Sequence, residues 1–111
     1  MGFYCGDRPS CENRCLTNYP NPFSAGAEET VIQYYLKEDA ETNLVIYDLL
    51  GNPVKRWHFA AGENAGGRKG INPVKWDGRN GQGAVVANGG YICRVEVNGG
   101  RTKIRKILVV K

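Results

Sequence analysis

The sequence predicts an all-β fold, an antiparallel β-sandwich of about seven strands. Three observations support this prediction. Apolar and polar residues alternate with the period of a strand, no segment shows the period of an amphipathic helix, and turn-forming residues separate the alternating segments at short intervals. With 111 residues, 41% hydrophobic and 23% charged, the chain has the length and composition of one globular domain.

The first four strands are predicted from alternation and from the turns between them. Residues 30–37 and 42–48 alternate most clearly, and the polar residues 38–41 connect them as a hairpin. The turn-forming sequence at 49–53 precedes a further strand. With an early short strand included, the predicted strands are 16–19, 30–37, 42–48 and 54–59.

The last three strands follow a glycine-rich segment, residues 60–70, which we expect to form an exposed loop. The next strand contains Pro73, which cannot donate a ladder hydrogen bond and therefore predicts a sheet edge. Asn98-Gly99-Gly100 is typical of a hairpin between the final two strands. The predicted strands are 71–76, 91–97 and 102–110, and their number and spacing favour an immunoglobulin-like sandwich.

The two tryptophans are the largest side chains available to fill the core. We expect Trp57 or Trp76, or both, to lie in or beside it. Trp76 follows Val74 on the same strand face, so Trp76 is predicted to anchor the core rather than to stack on a ligand.

Three of the four cysteines lie within the first fifteen residues, a stretch too short to build a core of its own. We predict that residues 1–15 form a cysteine-containing extension or linker and that residues 16–111 form the sandwich. Disulfides are the expected source of order in this extension, and they would place the protein in an oxidising compartment. Free thiols and a metal are the alternatives, although no common zinc spacing is present. The disulfide candidates are Cys5, Cys11, Cys15 and Cys93, and the sequence leaves three pairings open.

Positive charge is concentrated near the C-terminus. The net charge is +4, and the last eleven residues contain five basic residues and no acid. Such a strand suits an acidic protein partner, an anionic surface or the solvated edge of a sheet. Nucleic acid is not expected, because no nucleic-acid-binding motif accompanies the charge. The partner-binding candidates are Arg101, Lys103, Arg105, Lys106 and Lys111.

The final predicted strand alternates two sets of residues, with Lys106 interrupting the first. The sets are Ile104, Leu108 and Val110, and Lys103, Arg105, Ile107 and Val109. We expect this strand to pack one face and to leave a basic stripe outside. No apolar run reaches the ~20 residues that a membrane span requires, so no transmembrane segment is expected.

No catalytic, metal or cofactor site is predicted. His58 is the one histidine, and no nucleophile motif accompanies it, so we expect it on a solvated strand. The Asp77–Gly83 sequence superficially matches a calcium loop, but Arg79 stands at the third position and Asn88 at the twelfth, where an EF-hand needs oxygen ligands and a glutamate. The glycines at 62–70 lack the lysine and the helix of a phosphate-binding loop.

Five landmarks occur in one order along the chain: Asn18-Tyr19-Pro20-Asn21-Pro22-Phe23, Ile46-Tyr47-Asp48-Leu49-Leu50-Gly51-Asn52-Pro53-Val54, Trp76-Asp77-Gly78, Asn88-Gly89-Gly90-Tyr91 and Lys106-Ile107-Leu108-Val109-Val110-Lys111. Together they resemble the immunoglobulin-like domain of the flagellar hook-capping protein family and the related C-terminal sorting domains of type IX secretion cargo. The resemblance covers residues 16–111, and residues 1–15 lie outside it.

The resemblance implies a non-catalytic module of an exported bacterial protein that acts in secretion sorting and cell-surface attachment. It also implies an extracellular or cell-surface location, reached through the periplasm, and a protein partner in the export machinery. A self-assembling extracellular subunit that forms a homo-oligomer through its strand edges is the first alternative. A glycan-binding module that uses exposed aromatic side chains is the second.

Overall fold

The computed structural model describes residues 16–110, which form seven β-strands and no helix. The extension predicted at 1–15 lies outside the described residues. Within the described range, no helix with the length and apolar character of a membrane span occurs. The strands are β1 (Leu16–Tyr19), β2 (Thr30–Leu36), β3 (Thr42–Asp48), β4 (Pro53–Phe59), β5 (Gly70–Trp76), β6 (Gly89–Val97) and β7 (Arg101–Val109).

The strands form two antiparallel sheets. The three-stranded sheet has the order β1-β2-β5, and the four-stranded sheet has the order β4-β3-β6-β7. In the second sheet, Leu44 of β3 lies opposite Trp57 of β4 and Val95 of β6. The prediction of an all-β, immunoglobulin-like sandwich is confirmed. The edge position predicted for Pro73 is also confirmed, because β5 is an outer strand of its sheet.

The core lies between the sheets and is built from every second residue of the alternating strands. Ile32 of β2 and Leu44 and Ile46 of β3 are completely buried. Tyr34 lies in the same layer, and its hydroxyl donates a hydrogen bond to the carbonyl of Gly66 at 2.8 Å. Burial of this phenol raises its pKa, because the charged form would lose its hydration.

An aromatic cluster closes one region of the core. Trp76 is 1% exposed, and its ring centroid lies 5.5 Å from that of Phe23 and 5.9 Å from that of Tyr91. The indole N–H donates to the carbonyl of Arg79 at 2.9 Å, so the buried polar atom has a partner. The prediction that Trp76 anchors the core is confirmed.

Residues 20–24, the lead-in segment, cross from β1 to the outer edge of β7. The N–H of Phe23 donates to the carbonyl of Leu108 at 3.1 Å, and the carbonyl of Phe23 accepts from the N–H of Val110 at 3.0 Å. The Asn21 side chain donates to the carbonyl of Lys106 at 3.1 Å and accepts from the N–H of Leu108 at 2.9 Å. These bonds pair backbone groups along the second half of an edge strand that would otherwise be open.

Candidate functional site

Strand β7 holds four of the five basic residues predicted to bind a partner, and those whose side chains are described lie on both of its faces. Lys103 lies opposite Val95 and Arg105 lies opposite Cys93, both on the side of β7 that faces the other sheet. Lys106 lies opposite Ile92, on the outer side. Lys103 is half-buried, whereas Arg105 and Lys106 are exposed. The Arg101 backbone belongs to β7, and Lys111 lies outside the described residues.

The prediction of one basic stripe on the outside of β7 is therefore wrong. Ile107 and Val109 are buried on the inner side, and Lys103 and Arg105 precede them on that same side. The outer side instead presents Ile104, which is 63% exposed, together with Leu108 and Val110. Both alternating sets contain apolar and basic residues, so the residue pattern alone does not decide which set faces inward.

The turn between β3 and β4 exposes two leucines on a rigid base. Asp48 Oδ1 accepts hydrogen bonds from the backbone N–H groups of Leu50 and Asn52, both at 2.9 Å, and Oδ2 accepts from the Asn52 side chain at 3.1 Å. The bonds from Asn52 and Leu50 hold the pKa of Asp48 below its usual value of 3.8. Leu49 is 62% exposed and Leu50 is 88% exposed. The sequence predicts only a turn here, although two adjacent leucines in a turn are a signal of an exposed apolar tip.

An open cleft of about 510 Å³ lies beside this turn, between it and residues 80–82. Among the described residues that line it, Asp48 is the only carboxylate, and both of its oxygens accept hydrogen bonds within the turn. The hydroxyl of Tyr91, another lining residue, donates to the carbonyl of Ala87 at 2.6 Å. The polar groups of Asp48 and Tyr91 in the cleft are thus already hydrogen-bonded within the fold, and the described lining residues include no acid–base pair.

The other polar candidates serve local structure. His58 is exposed on β4, as predicted, and its Nε2 lies 2.8 Å from a carboxylate oxygen of Glu41. In the sequence that resembles a calcium loop, Asp77 Oδ1 accepts from the N–H of Arg79, and Asn80 Oδ1 accepts from the N–H groups of Gln82 and Ala84. Across residues 16–110, no three histidine, cysteine, aspartate or glutamate side chains cluster closely enough to hold a metal ion.

Cys93 lies on β6 in the centre of the core and is a free thiol. Burial raises the pKa of this thiol to about 12, because the thiolate would be poorly solvated there. Residues 16–110 contain no second cysteine that could pair with it, so its pairing with an N-terminal cysteine stays a prediction. The disulfide candidates Cys5, Cys11 and Cys15 lie outside the described residues, and their pairing stays a prediction.

Residues 19–101 match the FlgD Ig-like domain family. The chain belongs to the FlgD Ig-like domain family. This confirms the resemblance inferred from the five landmarks, four of which lie at least partly within the matched range. No curated protein sequence matches the chain.

Solved structures of bacterial proteins share the fold. PorZ, an essential surface component of the type IX secretion system of Porphyromonas gingivalis, has a TM-score of 0.65 at 21% identity over 96% of this chain. Dimeric latent PorU from the same organism has a TM-score of 0.63 at 23% identity over 86% of the chain. FlgD from P. aeruginosa has a TM-score of 0.58 at 16% identity over 84% of the chain.

The matched region is a small part of the two type IX proteins. The chain spans 13% of PorZ and 9% of PorU, but 71% of the FlgD structure. At these identities the likeness establishes the sandwich fold and leaves the functions of the larger proteins as proposals for this chain.

Proposed function

We propose that the chain is a non-catalytic module of an exported bacterial protein and acts in secretion sorting and cell-surface attachment. Membership of the FlgD Ig-like domain family supports a non-catalytic module, because that family is non-enzymatic. The fold shared with PorZ and PorU supports a role in type IX secretion. The proposed location is the cell surface or the extracellular medium, reached through the periplasm.

The proposed partner is a protein of the export machinery that recognises strand β7. The proposed contacts are Arg101, Lys103, Arg105 and Lys106 of β7, together with Lys111, and the edge position of β7 supports access to the strand. The lead-in segment pairs with the second half of this edge, so the proposed contact centres on the first half.

Charge reversal on β7 tests this role. The variant carries Arg101→Glu, Lys103→Glu and Arg105→Glu in the full precursor, expressed in a bacterium that has type IX secretion. We expect the variant to fold and to accumulate in the periplasm, because the introduced glutamates would repel an acidic partner protein. Fractionation of periplasm, surface and medium measures the distribution, and circular dichroism of the purified variant checks the fold.

The matched control reverses the same number of charges elsewhere. Lys37, Lys69 and Lys75 are exposed, and none lies in the four-stranded sheet. Their replacement by glutamate is expected to leave export unchanged. Normal export and surface attachment of a folded β7 variant would exclude β7 as the recognised strand.

A self-assembling extracellular subunit is the second candidate function, and the exposed apolar residues on the outer side of β7 favour it. This candidate predicts that the β7 variant forms smaller oligomers than the wild type at low salt, as measured by sedimentation. A glycan-binding module has less support, because Trp76 is buried and Tyr19 is the one aromatic side chain among the large exposed hydrophobic residues of the described chain.

A further inference from the structure

The outer face of the four-stranded sheet combines apolar residues that no described part of the chain covers. Val45 of β3 lies beside Arg94 of β6, which lies beside Ile104 of β7, and this row forms the middle of the face. The next row runs from Tyr47 through Ile92 to Lys106. Ile104 is 63% exposed, and Val45, Tyr47 and Ile92 are half-buried. We call this surface, residues 45, 47, 92, 94, 104 and 106, the outer patch.

The β3–β4 turn extends the outer patch at one end. Side-chain carbons of Leu49 and Lys106 would both lie 3.3 Å from a Cβ at Gly90, so the two side chains meet above that glycine. Leu50, next to Leu49, is 88% exposed. Because the Asp48 bonds fix the turn, the leucines are presented without the entropic cost of ordering a loop.

The outer face of the four-stranded sheet is mainly positively charged. Arg94 and Lys106 belong to the outer patch, and Arg56 of β4 flanks Val45. Glu96 is the single acidic strand residue on this side of the described sheet, and it lies at the far end beside Asn43 and Thr102. The Arg94 guanidinium lies 3.4 Å from the Tyr47 hydroxyl, which orients it across the face.

These features select among possible occupants. A second copy packed face to face would set Arg94 against Arg94 and Lys106 near other cations, which is unfavourable. An apolar surface with interspersed cations is complementary to an extended segment that presents both apolar and acidic side chains on one of its sides. Successive side chains of an extended segment point to opposite sides, so only every second residue faces the sheet, and apolar and acidic residues must take turns at those positions.

We infer that the outer patch docks an extended segment of a protein partner in which apolar and acidic residues take turns at every second position, with the leucines of the β3–β4 turn as an apolar anchor. The inference rests on the proposed function, because it gives the chemistry of the partner that the sorting role requires. It concerns a different surface from the inner-side cations Lys103 and Arg105. A binding experiment in solution tests this inference separately from the proposed sorting role, because binding in solution does not depend on export.

The test uses the full chain, labelled with ¹⁵N, and two synthetic peptides of about eight residues, a length that an ordinary strand spans. Every second residue of each peptide is serine. The remaining positions take valine and glutamate in turn in one peptide, and valine and lysine in turn in the other. We expect the acidic peptide to shift the amide resonances of β3, β6 and β7. It should bind at least about tenfold more tightly than the basic peptide, because the cations of the outer patch attract glutamates and repel lysines. Arg94→Glu with Lys106→Glu is expected to reverse this preference.

Matched variants on the other sheet serve as controls. Ile71 and Lys75 lie on the outer face of β5, and Ile71 is 39% exposed. Ile104→Ser is expected to weaken binding of the acidic peptide severalfold, whereas Ile71→Ser and Lys75→Glu are expected to leave it unchanged. Binding that ignores peptide charge, shifts confined to β1, β2 and β5, or no binding by either peptide would overturn the proposal.

Two further results would replace the peptide segment with another occupant of the outer patch. Tighter binding of the outer patch to vesicles of anionic phospholipid than to the acidic peptide would assign it to a membrane surface. A concentration-dependent dimer that Ile104→Ser dissociates, detected by sedimentation, would assign it to a second copy.

Discussion

Trp76 joins several parts of the fold through one side chain. It contacts Phe23 of the lead-in segment and Tyr91 of the opposite sheet, and its indole N–H satisfies the carbonyl of Arg79. A residue with these contacts connects β5 to the four-stranded sheet and to the chain segment that pairs with β7. Its role was predictable from its size and its alternation with Val74, because few other side chains bury as much apolar area.

Replacement of Trp76 by alanine is expected to lower the free energy of unfolding by about 3–5 kcal/mol, because the change leaves a large cavity in a packed core. Denaturant unfolding measures the effect. Trp57→Ala is the matched control, since Trp57 is only partly buried against the core, and its cost is expected to be smaller. Equal costs at the two positions would contradict the central role given to Trp76.

Asp48 gives the turn a dependence on pH. Its pKa is depressed in the folded chain by hydrogen bonds from Asn52 and Leu50, so its contribution to stability is present above its usual pKa of 3.8. The contribution is lost as the pH falls through the depressed folded-state pKa. Asp48→Asn is therefore expected to be less stable than the wild type at neutral pH, with the difference shrinking in acid.

Thermal unfolding between neutral pH and pH about 2 tests this, over the range in which carboxyl groups titrate. Glu29→Gln, at an exposed position outside the turn, serves as the control and is expected to stay within about 0.5 kcal/mol of the wild type. A difference between Asp48→Asn and the wild type that stays constant across the range would show that the charge does not stabilise the turn.

Among the elements, alternation predicted the strands but not which face of β7 is buried. The predicted 42–48 coincides with β3, whereas β6 begins two residues before the predicted 91, because Gly89 and Gly90 carry no side chains to continue a pattern. The inward face of β7 was undetermined for the same kind of reason, since both of its faces mix apolar and basic residues. The bonds from Asn21 to β7 link residues at least 85 positions apart, and local patterns contain no information on such contacts.

Asn21→Ala tests whether the lead-in segment secures β7. The change removes two hydrogen bonds to the strand and is expected to cost about 1–2 kcal/mol. It should also speed hydrogen exchange at the Leu108 amide, whose proton the Asn21 side chain accepts. Asn88→Ala, at an exposed position in the loop before β6, is the control and is expected to change stability by less than about 0.5 kcal/mol. Unchanged exchange at Leu108 would show that the Asn21 contact does not hold the edge.

At the scale of the whole molecule, the two sheets have different surroundings. In the three-stranded sheet, the outer strand β5 contains Pro73. In the four-stranded sheet, the outer strand β7 carries basic residues, and its second half pairs with the lead-in segment. The proposed partner contacts and the outer patch therefore lie on the same sheet. This asymmetry is consistent with a module that docks through one side, and sequence alone could not predict it because it depends on strand order.

The sorting role is tested most directly by transfer to an unrelated protein. A folded reporter with a signal peptide is fused to the full 111-residue chain at its C-terminus and expressed in a bacterium with type IX secretion. The measurement is the fraction of reporter that external protease can reach on intact cells or that enters the medium. We expect delivery to the surface or medium with the chain attached, and retention in the periplasm without it or in a strain that lacks the secretion system. A folded fusion that stays in the periplasm, or a reporter that reaches the surface equally well without the chain, would contradict the proposed function.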